Sequence, residues 1–111
     1  MDERVNNFLV NNALKYMREH YHDNLHLQDV AEQVYISQWY LSKLLKQHTK
    51  QSFLEILNYI RIEEAKKLMI NSSLKISDIS EQVGFRSLQH FSRVFRQQTG
   101  MSAREYRNHI L

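Results

Sequence analysis

Two pairs of long cations, Lys43 with Lys46 and Arg93 with Arg96, are the residues whose types and spacing could do chemistry. At about 100° per helical residue each pair falls on one narrow stripe, opposite an apolar side made of Leu41, Leu44 and Leu45 in the first case and of Phe91, Val94 and Phe95 in the second. Trp39 and Ser42 share the first stripe, and Gln89 and Ser92 share the second. Hydrogen-bonding groups interleaved with long cations are what a protein needs to reach base edges and flanking phosphates from a DNA major groove. The surrounding charge pattern fits. From 37 to 51 the charged residues are Lys43, Lys46 and Lys50; from 82 to 104 they are Arg86, Arg93, Arg96 and Arg104; neither stretch holds an acid. Two separate basic segments suit two phosphate-contacting surfaces, which the net charge of +3 alone does not imply.

Other chemistries find less support. His20, His22 and His26 straddle an expected helix end and lack a third ligand at motif spacing, so surface or structural roles are expected and no metal is. Glu63 and Glu64 are adjacent and diverge by about 100° on a helix, which makes them surface charge rather than a catalytic pair. Arg61 is open to either an ion pair or a phosphate. No constellation supports catalysis, and no cofactor is implied. The chain has no Cys, which excludes disulfides and thiolate metal sites. No apolar run approaches 18 residues and no signal-peptide pattern leads the first helix, so no membrane partner is expected and the setting is read as cytoplasmic.

The elements that must position these stripes are helical. With two Gly and no Pro in 111 residues, a sheet-rich fold would lack its turns, and the expected class is all-α with about seven helices. Val5, Phe8, Leu9, Ala13, Tyr16 and Met17 give a first amphipathic helix over about 4–21. A short helix over 27–34, with Leu27, Val30, Ala31 and Val34 inward, is followed by a tight turn at Tyr35 and Ile36. Ser37 then caps a helix over about 38–48. Ser52 and Glu55 form a capping box that opens a long helix over 52–71. A helix of that length spans roughly 28 Å, close to the ~34 Å repeat of B-DNA, so it could space two readers on successive turns.

Beyond 71 the order recurs: a short helix over 76–83, a turn at Gly84, Phe85 and Arg86, and a helix capped by Ser87 and ended by Gly100. Ser102 and Glu105 open a last helix. Asp29, Glu32, Gln33 and Val34 reappear 49 residues on as Asp78, Glu81, Gln82 and Val83. With one extra residue, Arg86, Ser37, Ser42, Gln47, Thr49, Ser52 and Glu55 reappear 50 residues on as Ser87, Ser92, Gln97, Thr99, Ser102 and Glu105. So many identities in register mark a duplication. The expected organisation is a first helix-turn-helix subdomain over 1–51, a linker helix over 52–71 and a second subdomain over 72–111, with small Ala31 and Ser80 where paired helices cross and Ile36 and Phe85 tucked under the turns.

These motifs resemble the DNA-binding domain of the AraC/XylS family of bacterial transcription regulators over roughly 6–108. The second unit carries the resemblance most fully, in Ile79-Ser80-Glu81-Gln82-Val83-Gly84-Phe85, Phe91-Ser92-Arg93-Val94-Phe95-Arg96, Thr99-Gly100-Met101-Ser102 and Glu105-Tyr106-Arg107. Leu27 to Ala31, Ser37 to Lys43 and Arg61 to Ala65 fit as well, and the first half looks most like the output domains of YesN-type response regulators. Lys50 stands where the family usually has Gly, Ala103 where it has Pro and Leu45 where it has Phe.

The resemblance implies sequence-specific binding of a double-stranded operator, with the two stripes in successive major grooves. Carried over by position, base contacts fall on Trp39, Ser42, Lys43, Gln89, His90 and Arg93. Phosphate contacts fall on Ser37, Tyr40, Lys46, Arg86, Ser87 and Arg96. His90 could change charge near neutral pH and make affinity mildly pH-sensitive. The alternative class is a helical module that binds protein, with RNA polymerase or a regulatory partner as candidates; polymerase contact could also accompany DNA binding. The chain is read as a monomeric fragment of a longer regulator, dimerised by a domain outside these residues.

Overall fold

The computed structural model describes residues 2–111 and contains seven helices and no strand among them. They are α1 (Glu3–His20), α2 (Leu27–Gln33), α3 (Gln38–Thr49), α4 (Phe53–Leu68), α5 (Ile76–Gln82), α6 (Leu88–Thr99) and α7 (Ala103–Ile110). The all-α expectation and the helix order hold. Two compact units form: one ends at Leu57 and the other runs Asn58–Leu111, so the division falls within α4 rather than at either of its ends. Helix α4 stops at Leu68, three residues before the expected end.

In the first unit α1, α2 and α3 pack on Val10, Ala13, Met17, Leu25, Val30, Ala31, Leu41, Leu44 and Leu45, all buried. The face of α1 differs from the one expected. Phe8 is 62% exposed and Val5 is exposed too, while Val10 is buried. Ala13 and Met17 set the inward direction, and Val10, three residues before Ala13, lies on that side; Val5 and Phe8 fall outside it. The hydroxyl of Tyr40 donates to Asn6 Oδ1 at 2.8 Å and ties α3 to α1. Leu27 is only half-buried, and Leu25 takes the core position before α2.

The second unit replaces this aliphatic core with an aromatic one. Phe85, Phe91, Phe95 and Tyr106 form a chain of rings with centroids 5.3, 5.6 and 5.5 Å apart, within the range of favourable edge and tilted contacts. Arg107 fastens the segment after α4 by donating to the carbonyls of Met69, Leu74 and Asn71 at 3.2, 2.6 and 3.2 Å.

The duplication extends to individual hydrogen bonds. The Thr49 and Thr99 hydroxyls donate to Leu45 O and Phe95 O at 2.7 and 2.8 Å, then accept from the N–H of Gln51 and Met101 at 3.1 Å in both copies. Each following residue is left-handed, Lys50 at φ 65° and Gly100 at φ 78°. The capping boxes form as expected: Ser52 and Ser102 accept from Glu55 N and Glu105 N, and the two carboxylates accept in return from Ser52 N and Ser102 N at 2.9 and 3.0 Å.

Candidate nucleic-acid interface

Each stripe rides on the second helix of a short helix, a tight turn and a longer helix. At the first turn Ile36 N–H donates to Ala31 O at 3.1 Å, and at the second Phe85 N–H donates to Ser80 O at 3.1 Å. Ala31 and Ser80 are both buried, which permits the close crossing that their size suggested. The residue between is left-handed in both copies, Gly84 at φ 107° and Tyr35 at φ 61°. Tyr35 was missed as a left-handed site, although the 49-residue offset pairs it with Gly84. The turns leave α3 and α6 with one side in the core and the other in water.

The Ser37 hydroxyl accepts from Tyr40 N at 3.1 Å to start α3, and Ser87 does the same from His90 N to start α6. Trp39 is 70% exposed, and Ser42 and Lys43 are exposed beside it. The Lys43 ammonium lies 5.4 Å from the Trp39 ring centroid, a cation–π contact that keeps both side chains on the stripe. Gln89, Ser92 and Arg93 are exposed on α6. His90 is not fully on that stripe: it is half-buried, edge-on to Phe85 at 5.4 Å. Burial first, then the charges of Arg93 and Arg61, push its pKa below the ordinary 6.5. Neutral imidazole is therefore its state at neutral pH, and the titration expected there moves to more acidic conditions.

The residues carried over as phosphate contacts divide into groups. Arg86 and the two cap serines, Ser37 and Ser87, are exposed. Lys46 and Arg96 are exposed but each faces a carboxylate of its own unit, Glu55 at 3.9 Å and Glu105 at 3.7 Å. These acids belong to the capping boxes. Their pKa values are lowered chiefly by the hydrogen bonds from Ser52 and Ser102, then by the neighbouring cations, so both are charged at neutral pH. Tyr40 differs from the expectation, because its one hydroxyl proton is committed to Asn6 and cannot also be donated to a phosphate.

Arg61, left open by the sequence, is 8% exposed with its guanidinium 5.8 Å from the Phe85 ring centroid. Burial and the nearby Arg86 lower its pKa. Its place is behind the second turn, as a support rather than a contact. Arg107, the other arginine that builds this unit, was not foreseen; the position 50 residues earlier is Leu57, so the repeat carries no signal for it. Glu63 and Glu64 are half-buried helix charges with separate partners, Lys66 and Lys67, each at 2.7 Å. His20, His22 and His26 lie beside Asp23 or Asp29 at 3.5 to 3.6 Å, and no group of three or more metal-ligating side chains converges among the described residues. No helix among them is long and apolar enough to cross a membrane.

Two helix-turn-helix units with exposed cationic second helices define a class of DNA-binding proteins, and comparison with known proteins narrows it. The helix-turn-helix domain family matches residues 30–109. The lactose operon transcription activator of Staphylococcus xylosus is 38% identical over 101 residues, 91% of this chain and 36% of its own length. Among solved structures, the C-terminal domain of AraT, a response regulator from Geobacillus stearothermophilus, is 36% identical with a TM-score of 0.84, covering 90% of this chain and 84% of that one. The C-terminal domain of the two-component response regulator yesN from Fusobacterium nucleatum is 30% identical with a TM-score of 0.79, covering 86% and 93%. This chain belongs to the AraC-type helix-turn-helix DNA-binding domains, whose members are transcription regulators. It spans about a third of the length of the lactose operon activator.

Proposed function

We propose that this chain reads an asymmetric duplex operator of about 20 base pairs, with α3 and α6 entering successive major grooves about one helical turn apart. The observation that carries the reading is the repeated exposed stripe on α3 and α6, neither of which contains an acidic residue. Trp39, Ser42 and Lys43 read one block, and Gln89 and Arg93 the other. Arg or Lys can bond guanine bidentately, and the Trp39 ring offers an apolar surface to a thymine methyl. Ser37, Arg86 and Ser87 hold phosphates, and Lys46 and Arg96 do so by exchanging part of their pairing with Glu55 and Glu105. His90 adds a neutral donor or acceptor at the edge of the second stripe. Because the two stripes differ, the site need not be a palindrome. The work is binding without a catalytic step, carried out on cytoplasmic DNA, and contact with RNA polymerase accompanies it.

Salt dependence tests the class. Log affinity for duplex should fall linearly and steeply with log salt, because neutralised phosphates release counterions. A shallow slope would move a protein-binding role for the same faces to the front.

A further inference from the structure

An open cleft of about 640 Å³ lies in the second unit between the start of α5, the first turns of α6 and the start of α7. Its walls include Ile76 and Leu88, its rim carries Lys75 and Arg104, and Ser92 of α6 opens onto it. No acidic residue lines it. We propose that this cleft seats one deoxyribose-phosphate of the DNA backbone beside the groove entered by α6, with Lys75 and Arg104 closing on the phosphate.

Of the three cations that line the cleft, Lys75 and Arg104 are the uncommitted ones. Lys46 and Arg96 each face a carboxylate, and Arg107, also at the cleft, donates to three backbone carbonyls. Neither Lys75 nor Arg104 forms an ion pair among the described residues. Lys75 stands at the N-cap of α5, where its ammonium, which carries donors only, cannot cap the helix and makes no side-chain capping hydrogen bond. The apolar wall matters too. Leu88 is a large aliphatic residue left exposed on the first turn of a DNA-facing helix. A sugar-phosphate unit has an apolar sugar face beside an anion, and the cleft offers a matching surface to each.

The duplication supplies an independent comparison. At the positions corresponding to Lys75, Leu88 and Arg104 the first unit has His26, Gln38 and Leu54, while Ser92 keeps its counterpart in Ser42. The shared hydroxyl thus belongs to both readers and Ile76 has an apolar counterpart in Leu27, whereas the paired cations and the exposed Leu88 belong to the second alone. The clamp makes the second unit the stronger backbone anchor.

This inference rests on the DNA-reading function proposed above, and the experiment separates the two. Affinity of the wild-type chain and of a Lys75→Ala/Arg104→Ala variant is measured against salt on one selected duplex. Both residues are exposed, so the thermal unfolding curve should be unchanged. The clamp predicts a salt slope smaller in magnitude by about 1 for the variant, with base preference intact. A methylphosphonate at the clamped phosphate should weaken the wild type and leave the variant's affinity unchanged. A steep wild-type slope that the variant retains, with equal methylphosphonate effects, overturns the clamp while leaving DNA reading in place. A shallow wild-type slope overturns DNA reading itself. Perturbation of the cleft's NMR signals by inorganic phosphate, with the DNA slope unchanged, would make it a small-anion site and overturn the backbone assignment.

Discussion

His90 shows how a single residue acquires a property that its type does not carry. Histidine ordinarily titrates near 6.5, and its place beside a basic stripe suggested a switch at neutral pH. Burial, and then the charges of Arg93 and Arg61, lower its pKa instead. The unfolded chain then holds that proton more tightly than the folded one, so stability falls as pH drops through 6.5 toward the lowered value and is flat in this term above it. Urea unfolding of wild type and His90→Gln between pH 5 and 8 should show curves that converge in slope above 6.5, with the wild type losing more stability below. A variant that loses as much on acidification as the wild type would remove His90 from the account. Trp39 and Lys43 behaved as their types and spacing suggested, because exposure opposite a leucine side follows from periodicity alone. Tyr40 did not: its partner, Asn6, lies 34 residues away, beyond the reach of local pattern.

Helices were legible in this chain to within a few residues because their boundaries are written in local chemistry, serine caps with a glutamate three residues on and left-handed stops. The inward face of α1 was less legible. Its apolar residues outnumber one stripe, and only tertiary packing selects Val10, Ala13 and Met17 over Phe8. Two of the helical stops are imperfect. Lys50 ends α3 at φ 65° and Tyr35 ends the first short-helix segment at φ 61°, where the second copy has glycines. A side chain in this conformation is strained by roughly 1 kcal/mol. Lys50→Gly should therefore stabilise the first unit by about that amount, which corresponds to a rise of roughly 4–8 °C in Tm for a unit of this size. An unchanged or lower Tm would mean that the contact of Lys50 Nζ with Gln47 O, at 3.2 Å, offsets the strain.

At the scale of the whole molecule, duplication without identity organises the chain. The two units share capping boxes, threonine-centred helix ends and stripe positions, yet they differ in core chemistry and in the cations around the second reader. Sequence comparison of the copies exposed the shared parts. It passed over Arg61 and Arg107, whose work depends on folding distant segments onto one another and which have no counterpart in the other half. Two unlike readers on one chain predict a site with two unlike blocks. The direct measurement is selection of tight-binding duplexes by the purified chain from a random pool about 30 base pairs long. Two enriched blocks centred about ten base pairs apart are expected, one relaxed by Lys43→Ala and the other by Arg93→Ala, each at a cost of roughly 1–3 kcal/mol. A single enriched block, or two blocks that both respond to one substitution and not the other, would contradict a bipartite reader.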